Sequence, residues 1–140
     1  QSTNCGSNAI EALKIVKKNN LKHRNVILIQ DPTMQLRTFE SFKKNWENEN
    51  SYFINYLPFK PFIDIDNDTF KYKNNEMYGL WDKQRFLSLI IGEIRRLYDT
   101  KEGYGPTGEG FINHVDIPED VLNSYKHLKE KMTKYNYYSR

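Results

Sequence analysis

The feature that most constrains this fold is the four-residue run Val26-Ile27-Leu28-Ile29, with helical patterns on both sides of it. A half-exposed strand alternates apolar and polar residues, so an unbroken β-favouring run predicts a strand buried on both faces. Such a strand is central and parallel. Upstream, Ala9, Ile10, Ala12, Leu13 and Val16 recur at helical spacing, and Asn8 followed by Glu11 reads as a capping box. A first helix is therefore expected from about Asn8 to Asn19. Downstream, the run ends at Gln30, and Asp31-Pro32-Thr33 supplies a helix start in which Asp31 or Thr33 caps and Pro32 takes a first-turn position. A second helix, Met34 to about Glu47, then carries Met34, Phe39, Phe42 and Trp46 at 3-to-4 spacing, a face fit to cover a sheet.

Tyr52-Phe53-Ile54-Asn55-Tyr56-Leu57 reads as a second strand stopped by Pro58 and Pro61, and residues 62–75 read as a loop with extended pieces. From Gly79 to about Tyr98 the apolar residues are dense enough for a buried helix, in which Gly92 costs ~1 kcal/mol relative to Ala. Gly103, Gly105, Pro106, Gly108 and Gly110 break the chain, Pro118-Glu119-Asp120 opens a last helix ending near Met132, and residues 133–140 are expected to fray. A helix–strand–helix–strand order calls for an open parallel sheet, which needs several strands covered on both faces. Only two strands are evident. The pattern therefore reads as one α/β domain over residues 1–140, the carboxy-terminal half of a larger unit.

Composition narrows the function. Across 140 residues, 21 Lys and Arg against 18 Asp and Glu leave a net charge of +3, and the basic residues form no stripe interleaved with aromatics. Nucleic acid is not an expected partner. The longest apolar run, Phe86 to Ile91, is interrupted by Ser88 and is far short of a membrane span. A lone cysteine and the lack of a basic-plus-apolar leader at Gln1 suggest a cytoplasmic location, although Gln1-Ser2-Thr3-Asn4 is an unusual start and the natural amino terminus is expected to lie upstream. No metal is expected: His23, His114 and His127 share no ligand spacing. Asp64-Ile65-Asp66-Asn67-Asp68 begins like a calcium loop, but Thr69 stands where glycine is needed and Asn75 where glutamate is. The segment Gly103–Gly110 lacks the Gly-Lys-Ser/Thr ending of a phosphate loop and reads as a rigid turn.

Two clusters stand out as candidate sites. Ser2-Thr3-Asn4-Cys5-Gly6-Ser7-Asn8 leads small polar residues into a helix start, where free N–H groups and the positive dipole end suit an anion. The same residues also serve simply as a cap. Gln30-Asp31-Pro32-Thr33-Met34-Gln35-Leu36-Arg37 lies where a parallel strand hands over to a helix, the edge at which open α/β sheets bind ligands. There Arg37 could grip a carboxylate or phosphate bidentately and Asp31 could accept from a ribose hydroxyl or act as an acid or base; a solvated Arg37 is the alternative. Cys5 reads as an inert small residue.

Together the clusters resemble the paired signature of the SanA/ElyC/YdcF family, bacterial domains of unknown function. The likeness continues through Gly79-Leu80-Trp81, Arg85-Phe86-Leu87-Ser88-Leu89, Gly92-Glu93, Gly103-Tyr104-Gly105-Pro106 and His114-Val115-Asp116, and the last blocks resemble its YdcF branch in particular. The resemblance implies a Rossmann-like three-layer α/β domain with a parallel sheet, extra C-terminal helices and a pocket drawing on Thr3, Asn4, Gly6, Asn8, Gln30, Asp31, Thr33, Met34 and Arg37. It also implies a nucleotide-type ligand such as S-adenosylmethionine, with an upstream half of the protein or self-association completing the fold. Ser7 stands where the family usually carries Glu, and Cys5 where the wider family has Thr. The alternatives are an enzyme acting on a phosphorylated or envelope-derived small molecule, and a non-catalytic interaction domain.

Overall fold

A computed structural model of the chain describes residue 2 and residues 4–66, 69–73 and 79–134. In order the elements are α1 (Cys5–Lys18), β1 (Asn25–Ile29), α2 (Gln35–Asn45), β2 (Tyr52–Tyr56), β3 (Ile63–Asp66), β4 (Thr69–Tyr72), α3 (Lys83–Leu97) and α4 (Glu119–Lys134). The first helix starts earlier than Asn8 because a different capping box forms. The Asn4 side chain accepts from the Ser7 N–H at 2.8 Å and the Asn4 N–H donates to the Ser7 hydroxyl at 3.0 Å. Glu11, now inside the helix, pairs with Lys14.

β1 and β2 pair in parallel, with Val26 opposite Phe53 and Leu28 opposite Asn55. Their inner side packs on both preceding helices: Ala9, Leu28, Phe42 and Trp46 form a buried cluster, joined by Ala12, Leu13, Val16, Val26, Phe39 and Phe53. Two hydrogen bonds fix this layer. Trp46 Nε1 donates to the Ala9 carbonyl at 2.8 Å, tying α2 to α1, and Gln35 Nε2 donates both to the Leu28 carbonyl at 3.0 Å and to Asn55 Oδ1 at 2.7 Å. The start of α2 is thereby held to both strands.

The outer side of the pair is open. Ile27 and Ile29 are 61% and 63% exposed, and Tyr52, Ile54 and Tyr56 beside them are exposed as well. Burial of β1 on both faces is therefore not realised.

Nor does the chain form the Rossmann-like three-layer domain with a parallel sheet. The described residues contain four helices, one two-stranded parallel pair and one separate two-stranded antiparallel pair. The physical reason lies in how the β-favouring segments find partners. β1 and β2 take each other, while residues 62–75, expected as a loop with extended pieces, contribute β3 and β4, which pair locally as Ile63 with Tyr72 and Ile65 with Phe70. A local antiparallel pair closes a short loop and needs no crossover helix. No described strand is left to extend the parallel pair, and the helices packed on it, α1 and α2, lie on one side of it.

The hairpin is anchored by rings. Phe70 and Tyr72 pack against Phe86 of α3 with centroids 5.7 and 5.5 Å apart, and Trp81 stacks on Phe86 at 5.6 Å. Asp82 caps α3 by accepting from the Arg85 N–H at 2.8 Å, so the helix begins at Lys83 and not at Gly79. α4 lies on α3 through Ile91, Tyr125 and Met132 with Leu87, Ile94 and Leu128. Between these helices the glycine-rich segment folds back on itself: Tyr104 N–H donates to the Arg96 carbonyl at 2.8 Å and Ile112 N–H to the Tyr104 carbonyl at 3.0 Å. A Cβ on Gly103 would sit 1.9 Å from the Tyr98 carbonyl oxygen, which explains the glycine there. Of the calcium-like segment, Asn67, Asp68 and Asn75 lie outside the described residues, as do Thr3 and residues 135–140. No helix among the described residues is long and apolar enough to cross a membrane, and no group of acidic, His or Cys side chains among them is placed to hold a metal ion.

Candidate functional site

α2 has two buried sides. Phe39 and Phe42 turn to the strands, whereas Arg37, Thr38 and Ser41 are buried away from that cluster. On this second side Arg37 meets α3. Its Nε donates to Glu93 Oε2 at 2.5 Å and its Nη2 to Glu93 Oε1 at 2.9 Å, a bidentate pair with both side chains under 10% exposed. Arg96 Nη1 reaches the same Oε1 at 3.3 Å. Above them lies Tyr104, its ring centre 5.9 Å from the Arg37 guanidinium carbon and 6.0 Å from that of Arg96. Burial works against the charge on Arg37, but the hydrogen bond and charge of Glu93, helped by Cys5 and Tyr104, raise its pKa above the ordinary value. Two guanidinium groups share one carboxylate, so this buried cluster carries a net positive charge.

Beside it opens a cavity of about 370 Å³, lined by Asn4, Gly6, Ser7 and Ile10 of the α1 start, Arg37, Ser41, Lys44 and Asn45 of α2, and Tyr104, Gly110 and Phe111 of the glycine-rich segment. Each wall brings a different chemistry. The Ser7 N–H is taken by Asn4 Oδ1 and that of Asn8 by the Asn4 carbonyl, while the N–H groups of Cys5 and Gly6 come too early in the helix to have an acceptor within it. Lys44 brings an ammonium that donates to the Ile112 carbonyl at 3.4 Å, and none of the described carboxylates pairs with it. Tyr104 and Phe111 meet edge to face at 5.2 Å and supply an aromatic wall. The arrangement suits an anion joined to a flat ring.

Of the residues singled out in the sequence, Asn4, Gly6 and Arg37 come together at this cavity. Asn8 is exposed on α1 and takes a hydrogen bond from the Ser2 hydroxyl. Gln30, Asp31, Thr33 and Met34 gather instead in the turn after β1, outside the lining. There Asp31 Oδ1 accepts from the Thr33 N–H at 2.8 Å and from its hydroxyl at 2.6 Å, and the Met34 N–H donates to the Asp31 carbonyl at 2.9 Å. Asp31 thus closes a turn. Thr3 lies outside the described residues. Cys5 is buried with its sulfur 3.2 Å from the Thr38 hydroxyl, away from the lining.

Sequence reasoning missed Lys44, Tyr104, Phe111 and Glu93. For Glu93 a signal existed, because one carboxylate inside the apolar run Leu89, Ile90, Ile91, Ile94 demands a buried cation, and Arg37 is one. Lys44 and the two rings carried no local signal, since the packing of α2 on α1 places the lysine and the folding back of the glycine-rich segment brings the rings to it. No protein-family model matches the chain.

Proposed function

We propose that the protein binds a small nucleotide-type ligand, an anionic group joined to a flat ring, in the cavity between α1, α2 and the glycine-rich segment. The observation that carries this reading is the meeting of Lys44 and the α1 start with Tyr104 and Phe111 around one space of about 370 Å³. S-adenosylmethionine, with its carboxylate and adenine, is the first candidate, and the resemblance of the Asn4–Asn8 and Gln30–Arg37 segments to the SanA/ElyC/YdcF signature supports it. The role of Arg37 changes. Because Glu93 occupies two donor positions of its fork, Arg37 supports the wall and the field of the cavity, while Lys44 and the Gly6 N–H take the anion.

Calorimetric titration of S-adenosylmethionine, with adenosine monophosphate in parallel, tests this. Saturation at micromolar ligand, about −8 kcal/mol, is expected for one of the two, weakened roughly tenfold by Lys44→Gln. Absence of saturation by either at millimolar ligand, or an affinity indifferent to Lys44→Gln, would overturn the assignment.

A further inference from the structure

A second cavity, of about 380 Å³, opens on the far side of α3, where the helix end, the following turn and α4 meet. Arg95 comes from the last turn of α3, Lys101 from the turn and Lys129 from α4, so three elements each bring one cation to the same space. Of the two arginines in the last turn of α3, Arg96 pairs with Glu93, whereas none of the described carboxylates lies within ion-pair reach of Arg95, Lys101 or Lys129. Helix polarity accounts for only one of the three. A cation in the last turn of α3 answers the free carbonyls there, but Lys101 lies beyond the helix and Lys129 lies well inside α4. Lys129 is also positioned, its ammonium 5.9 Å from the ring centre of Tyr125, a residue only 7% exposed and packed between the helices. Among the described lining residues Glu102 is the one acid, so they bring three positive charges against one negative. Like charges brought to one space repel one another, and an anion bound among them relieves that repulsion.

We infer that this cavity is a second, separate anion site that takes a diphosphate group, free or carried by a nucleotide. Ionised at neutral pH, a diphosphate carries at least two negative charges, enough to offset the excess of two, and the Thr100 hydroxyl adds a neutral donor to the same lining. The site shares no lining residue with the cavity at Lys44, so it stands or falls independently of the ligand proposed there.

The test is a calorimetric titration of inorganic pyrophosphate into the whole chain carrying Lys44→Gln, with adenosine diphosphate in a parallel cell. Because Lys44→Gln weakens the first site without removing it, the second site is identified as the saturable binding that weakens as salt rises and falls at least about tenfold in affinity when Lys101→Gln and Lys129→Gln are added. Both lysines are exposed, so the melting temperature of that variant should match its parent and certify its fold. Equal affinity for the two ligands identifies free diphosphate as sufficient; tighter adenosine diphosphate identifies a nucleotide. Binding unchanged by the two lysine substitutions, sulfate competing as well as pyrophosphate, or no saturation by either ligand at millimolar concentration would overturn the inference.

Discussion

The two faces of the β1–β2 pair are built from neighbouring residues of the same strands and have opposite fates. Leu28 is 6% exposed against α1 and α2, while Ile27 and Ile29 on either side of it are more than 60% exposed. Nothing in the side chains separates them. Alternation sends Leu28 to one face and its neighbours to the other, and among the described residues only one face has helices against it. Leu28 gains the ~1.5–3 kcal/mol of a fully buried aliphatic side chain, and Ile27 gains little of it. Burial in a sheet is conferred by the layer that packs on it, and a run of apolar residues records only the capacity for it.

Substitutions on the two faces should therefore differ sharply. The largest loss is expected from Trp46→Ala, which empties the centre of the packed face and removes the hydrogen bond to Ala9: roughly 3–5 kcal/mol in urea unfolding. Ile27→Thr on the open face should stay within about 0.5 kcal/mol of the parent. A cost above ~2 kcal/mol for Ile27→Thr would break the comparison, since it is the signature of a side chain buried in solution.

Next in size is the ion pair on the far side of α2. Glu93→Ala leaves Arg37 buried with no carboxylate and should cost about 3–5 kcal/mol, whereas replacing both, Arg37→Met with Glu93→Leu, should recover most of it. A double variant as unstable as the single one would mean that the pair itself, and not the orphaned charge, carries the stability. A smaller effect is expected from the open face as a surface. An environment-sensitive apolar dye should bind the parent, and Ile27→Lys with Ile54→Lys should remove most of its fluorescence without lowering the urea midpoint. Fluorescence unchanged by the two lysines would place the exposed apolar surface elsewhere.

How much of this was legible follows the same division. The helices and the parallel pair were readable because periodicity and the Asp31-Pro32 stop are local properties. The one-sided layer was not, because the run at Val26–Ile29 describes the strand and not what covers it, and because the 63–72 hairpin chose a local partner. Start points moved for a local reason: Asn4 with Ser7 out-competes Asn8 with Glu11 as a capping box, a contest that spacing alone leaves undecided. Of the cavity residues, Asn4, Gly6 and Arg37 were visible through the helix start and the strand–helix turn. Lys44, Tyr104 and Phe111 depend on contacts between segments some sixty residues apart, which no local pattern encodes.

The smallest predicted effect concerns the exposed end of the glycine-rich segment, where cohesion depends on pH as that of the packed face does not. His114 Nδ1 lies 2.8 Å from Asp99 Oδ2 and its Nε2 3.1 Å from Asp116 Oδ1, while Asp99 Oδ1 accepts from the Thr107 N–H at 2.7 Å. An imidazolium donates to both carboxylates; a neutral ring can donate to only one. The hydrogen bonds it donates to Asp99 and then Asp116 raise the pKa of His114, and those that Asp99 accepts from His114 and Thr107 lower that of Asp99. For the histidine, the stabilisation is complete below the unfolded imidazole value and disappears as pH rises through the raised folded value. For the aspartate it is complete above the unfolded carboxylate value and disappears as pH falls through the depressed one. The melting temperature should therefore decline by a small amount on the alkaline side of the imidazole range, and His114→Asn should flatten that decline while leaving the packed face, followed by the Trp46 indole N–H resonance, untouched. Exposure and salt screening keep the effect modest, so it should shrink further at high ionic strength. An identical decline in the variant would assign the pH dependence to other groups and leave Asp99 holding Thr107 unaided.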